Sequence, residues 1–195
     1  MVTGRSRGSR VGWLRLLVAW TLVGGQPFGL LAAAVLTEHE AKSVFLYHCG
    51  WFVEWPATTV QGGAQRSFII GVFGANPFGN VLDTIMRDKT IREYPVVIKY
   101  YQRIEDAVSS HILFISAAEE ARLASILAGL AGTSVLTVSD LEGFAERGGM
   151  ITLRIVDKKV HFDINVEATG RTGLKLSSQL LKLARVIYGT PRARE

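Results

Sequence analysis

The sequence predicts an α/β fold: a single three-layer domain whose mostly parallel, Rossmann-like sheet is flanked by helices and ends in a late antiparallel hairpin. Three observations carry this. Four short segments, at 67–73, 95–101, 111–115 and 135–138, are near-continuous in hydrophobicity rather than alternating, as strands covered on both faces are. Helical segments separate them, and strand–helix–strand order calls for parallel pairing through right-handed crossovers. Past residue 150 the pattern switches to alternation, in Ile151–Val156 and Lys159–Ile164, joined at Asp157-Lys158 as in a hairpin.

In chain order, Thr37 with Glu40 has the spacing of a capping box, which satisfies free N–H groups at a helix start. The helix it opens carries Ala41, Phe45, Cys49 and Phe52 at helical spacing, widened by Val44, His48 and Trp51, and is expected to run to Trp55 because Pro56 ends it. A polar connector, 57–66, leads to the strand Ser67–Phe73. Gly74 turns the chain, and Asn76-Pro77 reads as an N-cap with proline at the first helical position, opening a helix to Arg87. After the strand Pro95–Tyr101 and a helical turn near Glu105 comes the strand His111–Ile115. Ser116 with Glu119 predicts a second capping box and a helix to Ala131. Val135–Val138 is the next strand, and Ser139 with Glu142 predicts a third capping box before the pivot Gly148-Gly149. Beyond the hairpin, Asn165 caps a short turn ended by Gly170. Leu176, Leu180, Leu183 and Ile187 then mark a final amphipathic helix, with Ser177-Ser178 at its start.

The two ends are read apart from the domain. Residues 1–34 carry Arg5, Arg7, Arg10 and Arg15, an uncharged apolar run and Ala32-Ala33-Ala34, the small-x-small pattern of a signal peptidase site. The run is long enough to remain as a membrane anchor, but Gly24-Gly25-Gln26-Pro27 breaks it, which favours a cleaved signal and export. The domain then covers 35–189, with a tail at 190–195. All 17 acids follow residue 34 while four of the 22 Lys and Arg precede it, so the exported chain has a net charge of only +1. Nucleic-acid binding needs clustered basic charge on the folded surface, and that reading drops out. Cys49 is the sole cysteine, so no internal disulfide can form; on an apolar helix face it reads as a small buried hydrophobe.

Chemistry-bearing patterns are sparse. Gly71–Gly79 is a glycine-rich strand-to-helix turn, but it is neither G-x-G-x-x-G nor a Walker loop, and Pro77 and Phe78 stand where a phosphate needs open backbone. It remains a candidate ligand rim through Asn76 and Phe78. Ser139-Asp140 follows a strand at the edge where open α/β sheets bind ligands. His39-Glu40 begins H-E-x-x-H, but Ser43 replaces the second histidine, and no metal is predicted. His161 alternates with Val160 and Phe162, so it faces the opposite side of its strand and is a candidate contact. Trp55 is a candidate exposed anchor for a partner. No residues assemble nucleophile, base and orienter; the sequence predicts neither an enzyme nor a cofactor.

Phe52–Pro56 (FVEWP), Ile70–Gly79 (IGVFGANPFG), His111–Ser116 (HILFIS), Leu136–Ile151 (LTVSDLEGFAERGGMI), Ile164-Asn165 and Gly173–Val186 (GLKLSSQLLKLARV) together resemble the YfiR family of periplasmic proteins, in the right order. The resemblance implies a non-enzymatic repressor that binds the periplasmic sensor domain of an inner-membrane diguanylate cyclase and lowers cyclic-di-GMP output and, with it, biofilm formation. It further implies sequestration by an outer-membrane lipoprotein, homodimers and a small aromatic ligand. The family's disulfides do not carry over, because Cys49 has no partner. The alternative is a periplasmic small-ligand sensor.

Overall fold

A computed structural model describes residues 36–56 and 67–189; the expected export signal, the connector at 57–66 and the tail lie outside the described residues. The first helix, α1 (Glu38–Phe52), starts with the capping box, its Thr37 hydroxyl accepting from the Glu40 N–H while the Glu40 carboxylate accepts from the Thr37 N–H. It stops three residues short of the expected Trp55. Val53 is already extended, and β1 (Val53–Glu54) pairs antiparallel with β9 (Lys175–Leu176) in a two-stranded sheet. A distant strand, not Pro56, ends the helix.

The main sheet comprises β2 (Phe68–Phe73), β3 (Thr90–Ile91), β4 (Tyr94–Tyr101), β5 (Ile112–Ile115), β6 (Leu136–Ser139), β7 (Ile151–Val156), β8 (Lys159–Asn165) and β10 (Val186–Tyr188). Its eight strands run in the order β10-β8-β7-β6-β5-β2-β4-β3. Only β3–β4 and β7–β8 are antiparallel. The hairpin turns at Asp157 (φ +50°) and Lys158 (φ +61°), the paired positive angles of a two-residue turn that follows strand twist.

Alternate residues of each central strand feed two cores. Ile70, Val72, Ile112, Phe114, Leu136 and Val138 pack beneath α1 and α2 (Val81–Met86). Phe73, Leu113 and Ile115 pack on the other face against Ala107 of α3 (Ile104–Ala107) and Leu123 and Ile126 of α4 (Leu123–Gly129). Helices on both faces of a mostly parallel sheet give the three layers.

Several helix boundaries differ from expectation for one reason: the expected cap is used in a tighter turn. The Asn76 carboxamide accepts from the Phe78 N–H and donates to the Gly79 carbonyl, so α2 begins only at Val81. Ser116 accepts from the Ala118 N–H, but Glu119 pairs with Arg122 instead of closing the box, and a 3-10 helix (Ala117–Arg122) precedes α4. Ser139 accepts from the Leu141 N–H, and a run of turns replaces the expected helix. Buried side chains hold those turns: Thr152 accepts from the Ala145 N–H, Thr137 from the Met150 N–H, and Asn165 donates to the Ala145 carbonyl. Asn165 also caps α5 (Val166–Gly170), and Ser177 caps α6 (Ser178–Leu183), as expected. The last helix ends at Leu183, and β10 joins the sheet parallel to β8. There Asp163, nearly fully buried, accepts from Arg154 and from Arg185 (3.1 Å to Nε), tying the final strand to the hairpin.

Candidate functional site

The strand order reverses between β2 and β5, because β4 lies on one side of β2 and β5 on the other. In open α/β sheets a crevice at the carboxyl ends of such strands is the usual ligand site. Gly74 follows β2 there and Ser116 follows β5. A Cβ placed on Gly74 (φ +83°) would stand 2.3 Å from Glu119 Oε1, so the Glu119 side chain lies directly on the glycine. Its carboxylate is held by Arg122 (2.5 Å to Nη2), whose guanidinium sits 5.8 Å from the centre of the Phe73 ring. The Gly74 and Ser116 N–H groups donate to the Tyr101 and Phe73 carbonyls. The chain's own ion pair covers the Gly74 turn, and these two donors are already used.

The next strand end along this edge carries Ser139 and Asp140. Ser139 is fully buried and serves the turn. Asp140 accepts from Lys42 (2.7 Å), which also pairs with Glu38 (2.5 Å). Burial pulls the Lys42 ammonium down, but its hydrogen bonds to Asp140 and Glu38 outweigh that and hold it above the ordinary lysine range. The second Asp140 oxygen is buried without a hydrogen bond.

Two further candidate contacts fail on burial. Trp55 is 8% exposed; its indole donates to the His111 carbonyl (3.1 Å) and meets Phe68 edge-on at 5.1 Å between ring centres. Phe78 is 0% exposed and packs edge-to-face on Phe114 at 4.8 Å. Trp55 is turned inward where it leaves β1, and Phe78 where it leaves the Asn76 turn, so both rings join the same core. Asn76 stays exposed, with its carboxamide engaged in the turn. His161 is half-buried opposite Arg154, on the same side of the hairpin as Asp163.

The residue that Trp55 was expected to be is Trp51. It is 47% exposed on α1, edge-on to Tyr47 at 6.5 Å. Its position at the margin of the apolar stripe was the available signal. His111, without metal-ligand spacing in the sequence, is a satisfied structural histidine, as expected. Its Nδ1 accepts from the Ile69 N–H (3.0 Å), its ring stacks on Phe68 at 4.5 Å, and burial pushes its pKa down. The acceptor role leaves the remaining proton on Nε2, so the ring is a neutral lock between β2 and β5.

Three cavities among the described residues have ligand dimensions. One, of about 420 Å³, lies between α4, the Gly148 turn and α5; Arg147 and Arg171 line it above Leu127, Val135 and Met150. A second, of about 400 Å³, is an apolar groove between α1, the β7–β8 hairpin and α6. A third, of about 440 Å³, opens beside the end of β2, lined by Phe73, Gln102, Arg103 and Arg122. Among the described residues, no group of acids, histidines and cysteine could hold a metal ion, and no helix is long and apolar enough to cross a membrane.

No curated protein matches the chain. The YfiR/HmsC-like family model matches residues 39–185, from the start of α1 to the threshold of β10. With the sheet up to β8, the Gly148 turn and the final cap all inside that span, the chain belongs to the YfiR/HmsC-like family, whose known role is the regulation of signalling proteins.

Proposed function

We propose that this protein is an exported, non-enzymatic repressor that binds the periplasmic sensor domain of an inner-membrane diguanylate cyclase and lowers cyclic-di-GMP output. The family match over residues 39–185 is the observation that carries the reading. The arginine- and alanine-flanked apolar run at 1–34 supports export to the periplasm. Repression works by differential affinity: the domain binds the inactive arrangement of the receptor better than the active one. A hundredfold preference corresponds to about 2.7 kcal/mol, which one interface with an aromatic anchor can supply. Trp51 is the anchor, being the exposed tryptophan of α1. An outer-membrane lipoprotein that sequesters the repressor and a homodimer belong to the same scheme. Deleting the gene raises cellular cyclic-di-GMP; unchanged levels, with no membrane cyclase co-purifying, overturn the proposal.

A second reading, a small-ligand sensor, is favoured by the cavity that Arg147 and Arg171 line, which suits an anionic molecule with an apolar or aromatic body. A thermal-shift screen of amino acids and aromatic metabolites tests it. Flat melting curves at millimolar ligand count against it.

A further inference from the structure

We infer that the apolar groove between α1, the hairpin and α6 is a binding site for a single-chain fatty acid. The floor is apolar and closed: Phe45 and Cys49 of α1, Phe162 of β8 and Leu180 of α6 are all buried. The rim is different. Leu36, Val160 and Leu183 line the same groove yet are 50%, 38% and 69% exposed. A soluble domain seldom leaves several large apolar side chains together in water without a use for them.

Charge selects the occupant. A groove of about 400 Å³ lies within the range of small-molecule sites. Lys158 is the only charged group among the described residues lining the groove, and it makes no ion pair with them. It sits in the hairpin turn at φ +61°, which fixes its backbone at the groove's mouth. An apolar trough with one unpaired cation at its mouth fits an alkyl chain ending in a carboxylate.

The test is fluorescence titration of the purified protein with cis-parinaric acid, followed by displacement with myristic acid. Saturable one-to-one binding that myristic acid reverses is expected. Lys158→Asn removes the charge with a residue that tolerates the left-handed turn, and weakens parinaric acid about tenfold. Leu183→Glu, at a mostly exposed position, weakens it at least as much, while Arg147→Glu, at the first cavity, leaves it unchanged. Circular dichroism confirms that each variant is folded; if Leu183→Glu is not, Lys158→Asn decides alone. Unsaturable binding, a Lys158→Asn protein that binds like the unaltered one, or loss through Arg147→Glu overturns the inference. So does a groove that takes no fatty acid while Leu183→Glu weakens capture of the membrane cyclase, because it then docks protein.

Discussion

Trp55 and Trp51 lie one helical turn apart in sequence, and their substitutions are expected to separate cleanly. Trp55 is buried between Phe68 and His111, and its indole N–H donates to the His111 carbonyl. Trp55→Phe keeps an aromatic ring but removes that hydrogen bond. The carbonyl still accepts from the Leu136 N–H at 2.9 Å, so no acceptor is stranded, and the expected cost is about 1 kcal/mol. Trp55→Ala adds a cavity and loses the edge-on contacts, for about 3–5 kcal/mol. For a domain of this size that is a fall in Tm of roughly 6–20 °C. Trp51→Ala, at a half-exposed site, shifts stability by no more than about 0.5 kcal/mol, yet raises cellular cyclic-di-GMP if Trp51 anchors the partner. Urea unfolding of the three variants, alongside cyclic-di-GMP measurement in complemented deletion strains, reads both effects. A Trp55→Ala protein as stable as the unaltered one would refute the reasoning that the ring is a core element.

The remaining predictions concern the lock and the pivot. His111 is held neutral by burial, below its ordinary value of 6.5. The unfolded chain therefore takes up a proton at His111 that the folded one does not, and its contribution to stability is complete above pH 6.5 and declines as pH falls from there toward the folded pKa. His111→Asn, whose carboxamide oxygen can replace Nδ1 as acceptor for the Ile69 N–H, flattens that part of the stability–pH curve between pH 7.5 and 5.5; an unchanged slope assigns it to other groups. Gly149→Ala would place a Cβ 2.1 Å from the Phe144 ring, which is fully buried. It is expected to cost about 1–3 kcal/mol through overpacking, read as a lower midpoint in urea, and a neutral result would mean that the pivot is loose.

Much of the fold is written locally. The Thr37–Glu40 box, the Asp157-Lys158 turn and the Asn165 and Ser177 caps all form as the sequence predicts, because each satisfies its own backbone within a few residues. The two-sided hydrophobicity of β2, β5 and β6 likewise demands helices above and below. The candidate contacts were less legible. Whether Trp55 or Trp51 meets solvent depends on β1 pairing with β9, a partner more than a hundred residues away. The end of the last helix depends on Asp163 and on the free edge of β8, which draws Val186–Tyr188 into the sheet against their helical spacing. The serine and glutamate spacings at 116–119 and 139–142 are ambiguous in sequence, since the same hydroxyl can cap a helix or close a turn. In both, the surroundings chose the turn: Arg122 holds the Glu119 carboxylate, and Thr152, Thr137 and Asn165 hold the chain after Ser139. By itself the sequence determined the class of fold, the caps at Thr37, Asn165 and Ser177, and the family, because those rest on periodicity and short-range hydrogen bonds. Tertiary structure alone decided which aromatic rings face water, that Glu119 lies over the Gly74 turn, and that a groove stays open beside α6, because burial depends on partners distant in the chain.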